Sequence, residues 1–232
     1  MFELATEQQR SFDWYRRRLG YITGSEVHNI MSKGKSSEFS KTAESYFDAK
    51  AAERCINQRV YTDDNALQEY LYYNGIYENR AMQYGVMFED EARQQFAAML
   101  AVRVNAEVGS CRHHTIPYFA ASPDGVFSDA AGALVNIEIK VPKEATFASY
   151  AARIASAADL KRVKPEYYWQ IIAAQSCTNA AYSYFVTYSR FTEPYLHYVC
   201  IERNEEEIAA LEQRVMAANE QIDALVQILK NA

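Results

Sequence analysis

The sequence predicts a mixed α/β fold of the α+β kind, with a mixed sheet flanked by helices. Three observations predict it. Patterned segments follow in the order helices, two or three strands, helix, strand, strand, helix, an order that suits a sheet covered by helices. The apolar period changes from helical to alternating after about residue 102. The 232 residues hold only eight Gly and five Pro while 49% are apolar, which excludes a turn-dense all-β chain, a collagen-like repeat and a long linker. One unit over residues 1–232 is expected, since domains commonly run to about 100–200 residues.

The first strong punctuation is Leu19-Gly20-Tyr21-Ile22-Thr23-Gly24-Ser25-Glu26. Thr23 and Glu26 have the spacing of a capping box, with Thr23 as N-cap and Glu26 returning to its backbone N–H. Ser25 then falls in a first helical turn, where backbone N–H groups lack partners. Residues 42–56 read as a second helix on Ala43, Tyr46, Phe47, Ala51 and Cys55. Residues 57–84 crowd Tyr61, Tyr70, Tyr72, Tyr73, Tyr77 and Tyr84 into a polar, weakly periodic stretch. This variable segment fits an insertion, a lid or a subunit contact. From Met87 to Val102 the positions Phe88, Ala92, Phe96, Met99 and Leu100 recur at helical spacing.

Residues 116–127 and 133–141 read as two strands joined by a hairpin turn, Ser128-Asp-Ala-Ala-Gly132. Helices are expected at about 145–158 and 166–178, then strands at 181–188 and 195–201, rich in aromatic and β-branched residues. Asn204 starts a last helix to about residue 230, with Ile208, Leu211, Val215, Ile222, Leu225 and Ile228 on one face.

Composition narrows the function classes. No apolar run approaches the ~20 residues that cross a bilayer, and the first twenty residues lack the apolar core of a secretory signal. A cytoplasmic protein with no membrane partner is expected. Cys55, Cys111, Cys177 and Cys200 lie far apart with no zinc spacing, so they read as free thiols. His113 and His114 are adjacent, and neighbours on an extended chain point apart, which makes a poor metal clamp.

A net charge of -6 argues against a protein that coats nucleic acid non-specifically. Its distribution says more. Residues 10–41 carry seven Arg/Lys against three Asp/Glu, and residues 140–164 carry six against two. Residues 202–230 reverse the balance, seven Asp/Glu against three Arg/Lys. Such a chain suits gripping an anion in one place and repelling it elsewhere, although an ordinary solvated surface gives the same counts.

The chemistry concentrates in Ser122-Pro123-Asp124-Gly125 followed by Glu138-Ile139-Lys140. On an alternating strand Glu138 and Lys140 share one face, while Ile137, Ile139 and Val141 fill the other. Charged groups inside an apolar strand cost stability unless partnered, and an acidic residue ending the preceding strand is a fitting partner. Two carboxylates and a lysine converging are what metal-dependent phosphodiester cleavage needs. Asp124, Glu138 and the Ile139 carbonyl offer hard oxygens for Mg²⁺, and Lys140 a group to orient or deprotonate a water and to stabilise developing charge. Glu-x-Lys by itself equally fits a cross-strand ion pair on an exposed edge strand.

Pro123-Asp124, Glu138-Ile139-Lys140 resembles the signature of the PD-(D/E)xK nucleases, which share a restriction-endonuclease-like core. Within that superfamily the chain resembles the phage lambda exonuclease, or YqaJ-like viral recombinase, family. Trp14-Tyr-Arg-Arg-Arg18-Leu-Gly20-Tyr-Ile22-Thr23-Gly-Ser25-Glu26 resembles the family's N-terminal pattern. Gly85-Val-Met-Phe-Glu89-Asp-Glu-Ala92-Arg93 resembles its Gly-x-x-x-Glu-x-x-Ala-Arg helix, and Tyr168-Trp169-Gln170 its helical glutamine motif. The four segments stand in the family's order across about residues 12–203.

The resemblance implies a 5′-to-3′ exonuclease that digests one strand of linear double-stranded DNA and leaves a 3′ overhang for recombination by strand annealing. It implies two Mg²⁺ ions, with Mn²⁺ able to substitute, held by Asp124, Glu138, the Ile139 carbonyl and Glu89. Lys140 matches the catalytic lysine, Gln170 the active-site glutamine, and Arg18 and Ser25 a pocket for the 5′-phosphate. Arg16 or Arg17 is placed to share the task of Arg18. The resemblance also implies a trimeric ring, a single-strand annealing protein as partner, and a phage or prophage protein working in a bacterial host. The chain departs from the lambda pattern in its longer segment 57–84, so the strand-separating residue is open, with Met82 and Tyr84 as candidates. A restriction-like endonuclease would share Asp124, Glu138 and Lys140 without needing the Arg18/Ser25 pocket, and a DNA-end-binding module would keep the fold without the chemistry.

Overall fold

The computed structural model describes residues 4–34, 37–76 and 80–231, with 80–84 described by backbone alone. Its first elements are α1 (Phe12–Arg18), β1 (Ile22–Thr23), α2 (His28–Met31), α3 (Lys41–Arg54), α4 (Arg59–Thr62), α5 (Asp64–Tyr73) and α6 (Arg80–Leu100). Four strands follow: β2 (Cys111–Arg112), β3 (Phe119–Ala121), β4 (Gly125–Ser128) and β5 (Leu134–Lys140). The rest are α7 (Glu144–Arg153), α8 (Ala157–Val163), α9 (Pro165–Thr178), β6 (Tyr182–Tyr188), β7 (Leu196–Glu202) and α10 (Glu205–Lys230).

The strands make two mixed sheets rather than one. The larger runs β4-β5-β6-β7, and only its β5–β6 pair is parallel. The smaller runs β1-β3-β2, with β1 parallel and β2 antiparallel to β3. The stretch expected as one strand at 116–127 is therefore split between two sheets. Pro123 has no N–H to give a ladder, and the chain turns at Ser122-Pro123-Asp124 to leave one sheet for the other.

Two cores lie on opposite faces of the larger sheet. Val135, Ile137 and Ile139 of β5 pack with Val186 of β6 against Ala92 and Phe96 of α6. Phe185, Val199 and Ile201 face the other way, into the core built by α3, α9 and α10. Phe96 is fully buried, worth roughly 1.5–3 kcal/mol of transfer free energy. The variable segment folds as α4, α5 and the opening of α6, with Val60, Leu67 and Leu71 packed on Leu19. Tyr77 and the side chains of Met82 and Tyr84 lie outside the described residues.

Several expected elements stand where the pattern put them. The expected helix at 145–158 instead ends at Arg153, and Ser156 starts a separate α8 by accepting the Asp159 N–H. The capping box is also absent. Thr23 ends β1, and its carbonyl accepts the N–H groups of both Glu26 and Val27. α2 begins only at His28, which leaves Ser25 in the turn before it. Gly24 matters in that turn, because a Cβ there would crowd the Ala121 Cβ at 3.1 Å, where β1 lies against β3.

Candidate active site

β5 delivers Glu138 and Lys140 on the face turned towards α9, and its apolar residues on the face turned towards α6. Glu138 is 3% exposed and its carboxylate accepts directly from the Lys140 ammonium. Asp124 sits at the break between β3 and β4. Its N–H donates to the Ile137 carbonyl at 3.0 Å, and its Oδ2 accepts the Ile139 N–H at 2.7 Å. The proline break thus pins Asp124 to the middle of β5. Gln9 secures the break from outside, its Nε2 donating to the Pro123 carbonyl at 2.9 Å.

Glu89 arrives from α6. Arg93 donates to its Oε1 at 2.8 Å and to the Asp124 carbonyl at 3.0 Å, while Arg10 donates to its Oε2 at 3.3 Å. Burial, followed by the charge of Asp124, pushes the Glu138 carboxyl up to about 8 against the pull of Lys140. Burial and Asp124 likewise raise Glu89 against Arg10 and Arg93. Burial works against the charge on Lys140, but Glu138 and Asp124 outweigh it and hold the ammonium above its ordinary value.

These groups suit a divalent cation by chemistry. All are hard oxygens, and a bound cation offsets the burial and the repulsion by Asp124 that together raise Glu138 and Glu89. Among the described residues no three His, Cys, Asp or Glu side chains form a ready-made metal cage. Glu138 is turned to Lys140, and Glu89 to Arg10 and Arg93.

The other end of the same cleft is built around Arg18. Its guanidinium lies over the Trp14 ring at 4.1 Å and donates to the hydroxyls of Thr23 (3.2 Å), Ser25 (3.3 Å) and Ser122 (3.4 Å). Each of these partners is neutral. A half-buried cation met only by hydroxyls and a ring is arranged for an anion. The cleft has a volume of about 720 Å³ and is lined by Arg18, Ser25, Glu89, Asp124, Glu138, Ile139, Lys140 and Gln170. Every site residue expected from the sequence thus reaches one cavity. Of the neighbouring arginines, Arg16 pairs with Asp13 and Asp64 and Arg17 with Glu7, and Arg18 is the one that lines the cleft. The Arg18 end of the cleft also differs from the helix N-terminus expected there, since the N–H groups of Glu26 and Val27 are already bonded to Thr23.

Five contributors carried no expected role from the sequence, among them Arg93, which stands in the α6 motif only as a matching letter. Gln9 and Arg10 precede the first recognisable motif. Trp14 and Ser122 stand inside motifs without an evident role, yet the indole Nε1 donates to the Ser122 Oγ at 3.1 Å and so joins α1 to the Asp124 loop. Their neighbours Arg18 and Asp124 were the available signal.

A model of the YqaJ-like viral recombinase domain matches residues 13–181. The chain belongs to that family. Among solved structures it is similar to an alkaline exonuclease (LHK-Exo) from Laribacter hongkongensis. The identity is 27% over 95% of this chain and 97% of that one, with a TM-score of 0.73. The same exonuclease in complex with dAMP gives a TM-score of 0.74 at the same identity and coverage. A phage-related exonuclease from Haemophilus somnus 129PT shares the fold, with 14% identity, coverage of 90% and 96%, and a TM-score of 0.66. No curated protein matches in sequence. The fold is thus the PD-(D/E)xK fold of the YqaJ-like exonucleases, and family and neighbours together support a nuclease. Among the described residues no helix is long and apolar enough to cross a membrane.

Proposed function

We propose that this chain, as one nuclease unit, is a metal-dependent exonuclease that digests one strand of linear duplex DNA from its 5′ end. The 3′ overhang it leaves would serve recombination by a single-strand annealing partner, in the cytoplasm of a bacterium carrying the phage or prophage. The observation that carries this reading is the pairing of two sites in one cleft. One is the cluster of Asp124, Glu138, Glu89 and Lys140; the other is Arg18 held by three hydroxyls. A nuclease that begins at a 5′-phosphate needs both.

Asp124, Glu138, the Ile139 carbonyl and Glu89 would hold two divalent ions, Mg²⁺ or Mn²⁺. When bound, these polarise the scissile phosphate and ease ionisation of the attacking water. Lys140, kept charged beside Glu138, donates to that water or to a phosphate oxygen and offsets negative charge as it develops. Gln170 lines the cleft from α9, where its amide can orient the water. Arg18 and the Ser25 hydroxyl bind the terminal phosphate and fix how far the strand enters, which sets the bond cleaved. Arg93 and Gln9 hold Asp124 in place without touching the reacting atoms. A trimeric ring, with duplex entering and single strand leaving, accords with the acidic net charge of -6 because only the channel then has to be basic.

The test is Mg²⁺-dependent digestion of a linear duplex bearing a 5′-phosphate on one strand, compared with the same duplex bearing a 5′-hydroxyl. Preferential loss of the phosphorylated strand, with closed circles intact and the Lys140→Ala protein inert, is the expected result. Discrete cuts in closed circles would turn the reading to a restriction-like endonuclease. End binding without cleavage would turn it to a DNA-end-binding module.

A further inference from the structure

Beside Arg18, on the wall of the same cleft, lies a second set of charges to which the cleavage chemistry gives no part. Lys50 of α3 is 4% exposed. Its ammonium lies 3.1 Å from Glu26 Oε2 and donates to Glu53 at 3.1 and 3.0 Å. Glu26 Oε2 also accepts from the Thr23 hydroxyl at 2.6 Å and from the Tyr46 hydroxyl at 3.3 Å. Glu53 holds the Gly20 N–H at 2.8 Å. Two carboxylates therefore share one buried lysine, in the same cleft wall as a guanidinium whose own hydrogen-bond partners are neutral.

The hydrogen atoms can be assigned. Thr23 has a single hydroxyl proton, and it goes to Glu26. Its oxygen is left to accept from Arg18 Nη2, so Thr23 cannot donate to a ligand. The Ser25 oxygen accepts from the same Nη2, and its own proton faces the Thr23 oxygen at 3.5 Å, a long contact that a phosphate oxygen can replace. Thr23 is thus the fixed acceptor that aims Arg18, and Ser25 the donor available to a phosphate oxygen. Glu26 has a second potential cation in Arg18, and each carries charge that acts on the other. The nearer Lys50 satisfies Glu26 and leaves Arg18 with the hydroxyls and the Trp14 ring.

We propose that Glu26 and Lys50 are positioning residues for recognition of the 5′-phosphate. Glu26 orients the Thr23 hydroxyl, and Lys50 keeps Glu26 from capturing Arg18. The inference rests on the 5′-phosphate reading above and names residues that set the selectivity of that pocket. Without Lys50, Glu26 takes the Arg18 guanidinium as its counter-ion, and the cation meant for the phosphate is withdrawn. With Glu26 neutralised as well, the competitor disappears and Arg18 returns to its hydroxyls.

The experiment measures the ratio of digestion rates on 5′-phosphorylated and 5′-hydroxyl duplexes, after a melting curve has shown each variant to be folded. Lys50→Met is expected to lower that ratio roughly tenfold or more, the range of a lost charge-assisted hydrogen bond. The double variant Glu26→Gln/Lys50→Met should recover most of it. The isosteric Thr23→Val should lower the ratio and Thr23→Ser keep it, and this pair decides the matter by itself if Lys50→Met does not fold. A Lys50→Met or Thr23→Val protein with an unchanged ratio overturns the proposal. So does a double variant no better than Lys50→Met, since a lysine that only supports the fold gives that pattern. A wild-type protein without phosphate preference refutes the underlying reading instead, which keeps the two failures distinct.

Discussion

Glu138 is the least exposed charged group of the cleft, and its setting says what its partner does. Burial and then Asp124 push its carboxyl up to about 8, and Lys140 is the group that pulls it down. Lys140→Ala removes that partner and the cation beside the reacting phosphate together. The expected result is a loss of cleavage of roughly 10²–10⁴-fold, the range of a positioned proton-transfer or charge-stabilising group, with duplex binding retained. A loss under tenfold in single-turnover digestion would remove Lys140 from the chemistry. His113 offers a second test at this scale, away from the cleft. Its Nδ1 accepts the N–H groups of Ile116 (3.0 Å) and Thr115 (3.3 Å), so the ring is neutral, with Nε2–H directed to Glu212. Burial lowers its pKa and outweighs Glu212, while the charge of His114 adds to the lowering. The unfolded chain then binds the proton first. Stability is complete above the ordinary histidine value near 6.5 and falls as pH drops from there towards the folded value. The urea midpoint should decline between pH 7 and pH 5.5, and decline less in His113→Gln.

At the scale of elements, the turn after α1 sets the position of the Arg18 end of the cleft. Gly20 has φ +76°, and a Cβ there would meet the Arg54 Cγ at 2.8 Å. Arg54 in turn donates to the Gly20 carbonyl and pairs with Asp223 of α10, so α1, α3 and α10 meet at this residue. Gly20→Ala should cost roughly 1–3 kcal/mol, from left-handed backbone and local crowding, read as a lower urea midpoint at unchanged slope. At α10 the Asn204 side chain accepts the N–H groups of Glu206 and Glu207, and Asn204→Ala should cost about 1 kcal/mol. These elements also mark where sequence reading succeeds. The expected strand 133–141 is β5, and the helices expected at 166–178 and 204–230 are α9 and α10 within a residue or two. Each is long enough for its period to be counted, and Asn204 and Pro165 announce their starts. The failures around the smaller sheet have a common cause. β1, β2 and β3 have two, two and three residues, too short to show any period. They exist only because distant segments pair, as Ile22 does with Phe119. The cleft was legible where residues carry their own chemistry, as in Glu138-x-Lys140. It was not where a residue acts through position, as Lys50 and Trp14 do.

For the whole molecule the central question is how a chain of net charge -6 holds a polyanion. The cleft is lined by Arg10, Arg18, Lys50 and Lys140, but Arg10 is engaged by Glu89 and Lys50 by Glu26 and Glu53. One chain therefore brings few uncommitted cations to its substrate. Each phosphate neutralised steepens the dependence of log K on log salt by roughly 0.9, so a lone chain should hold duplex weakly and lose it quickly in moderate salt. Closing several chains into a ring changes the physics rather than the contacts. DNA threaded through a closed channel departs only past an end, and residence becomes independent of local affinity. The proposed trimeric ring thus makes a prediction that contact strength alone does not. On a linear duplex whose two ends are both blocked by bulky proteins after loading, with Ca²⁺ replacing Mg²⁺ to prevent digestion, the enzyme should resist competitor DNA and raised salt. With an end left open it should be lost at a rate that salt increases. Equal loss from blocked and open duplexes would mean that the chain grips DNA from one side. Sedimentation of the same sample then separates the two causes, because a ring that fails to enclose DNA still sediments as a trimer and a lone chain does not.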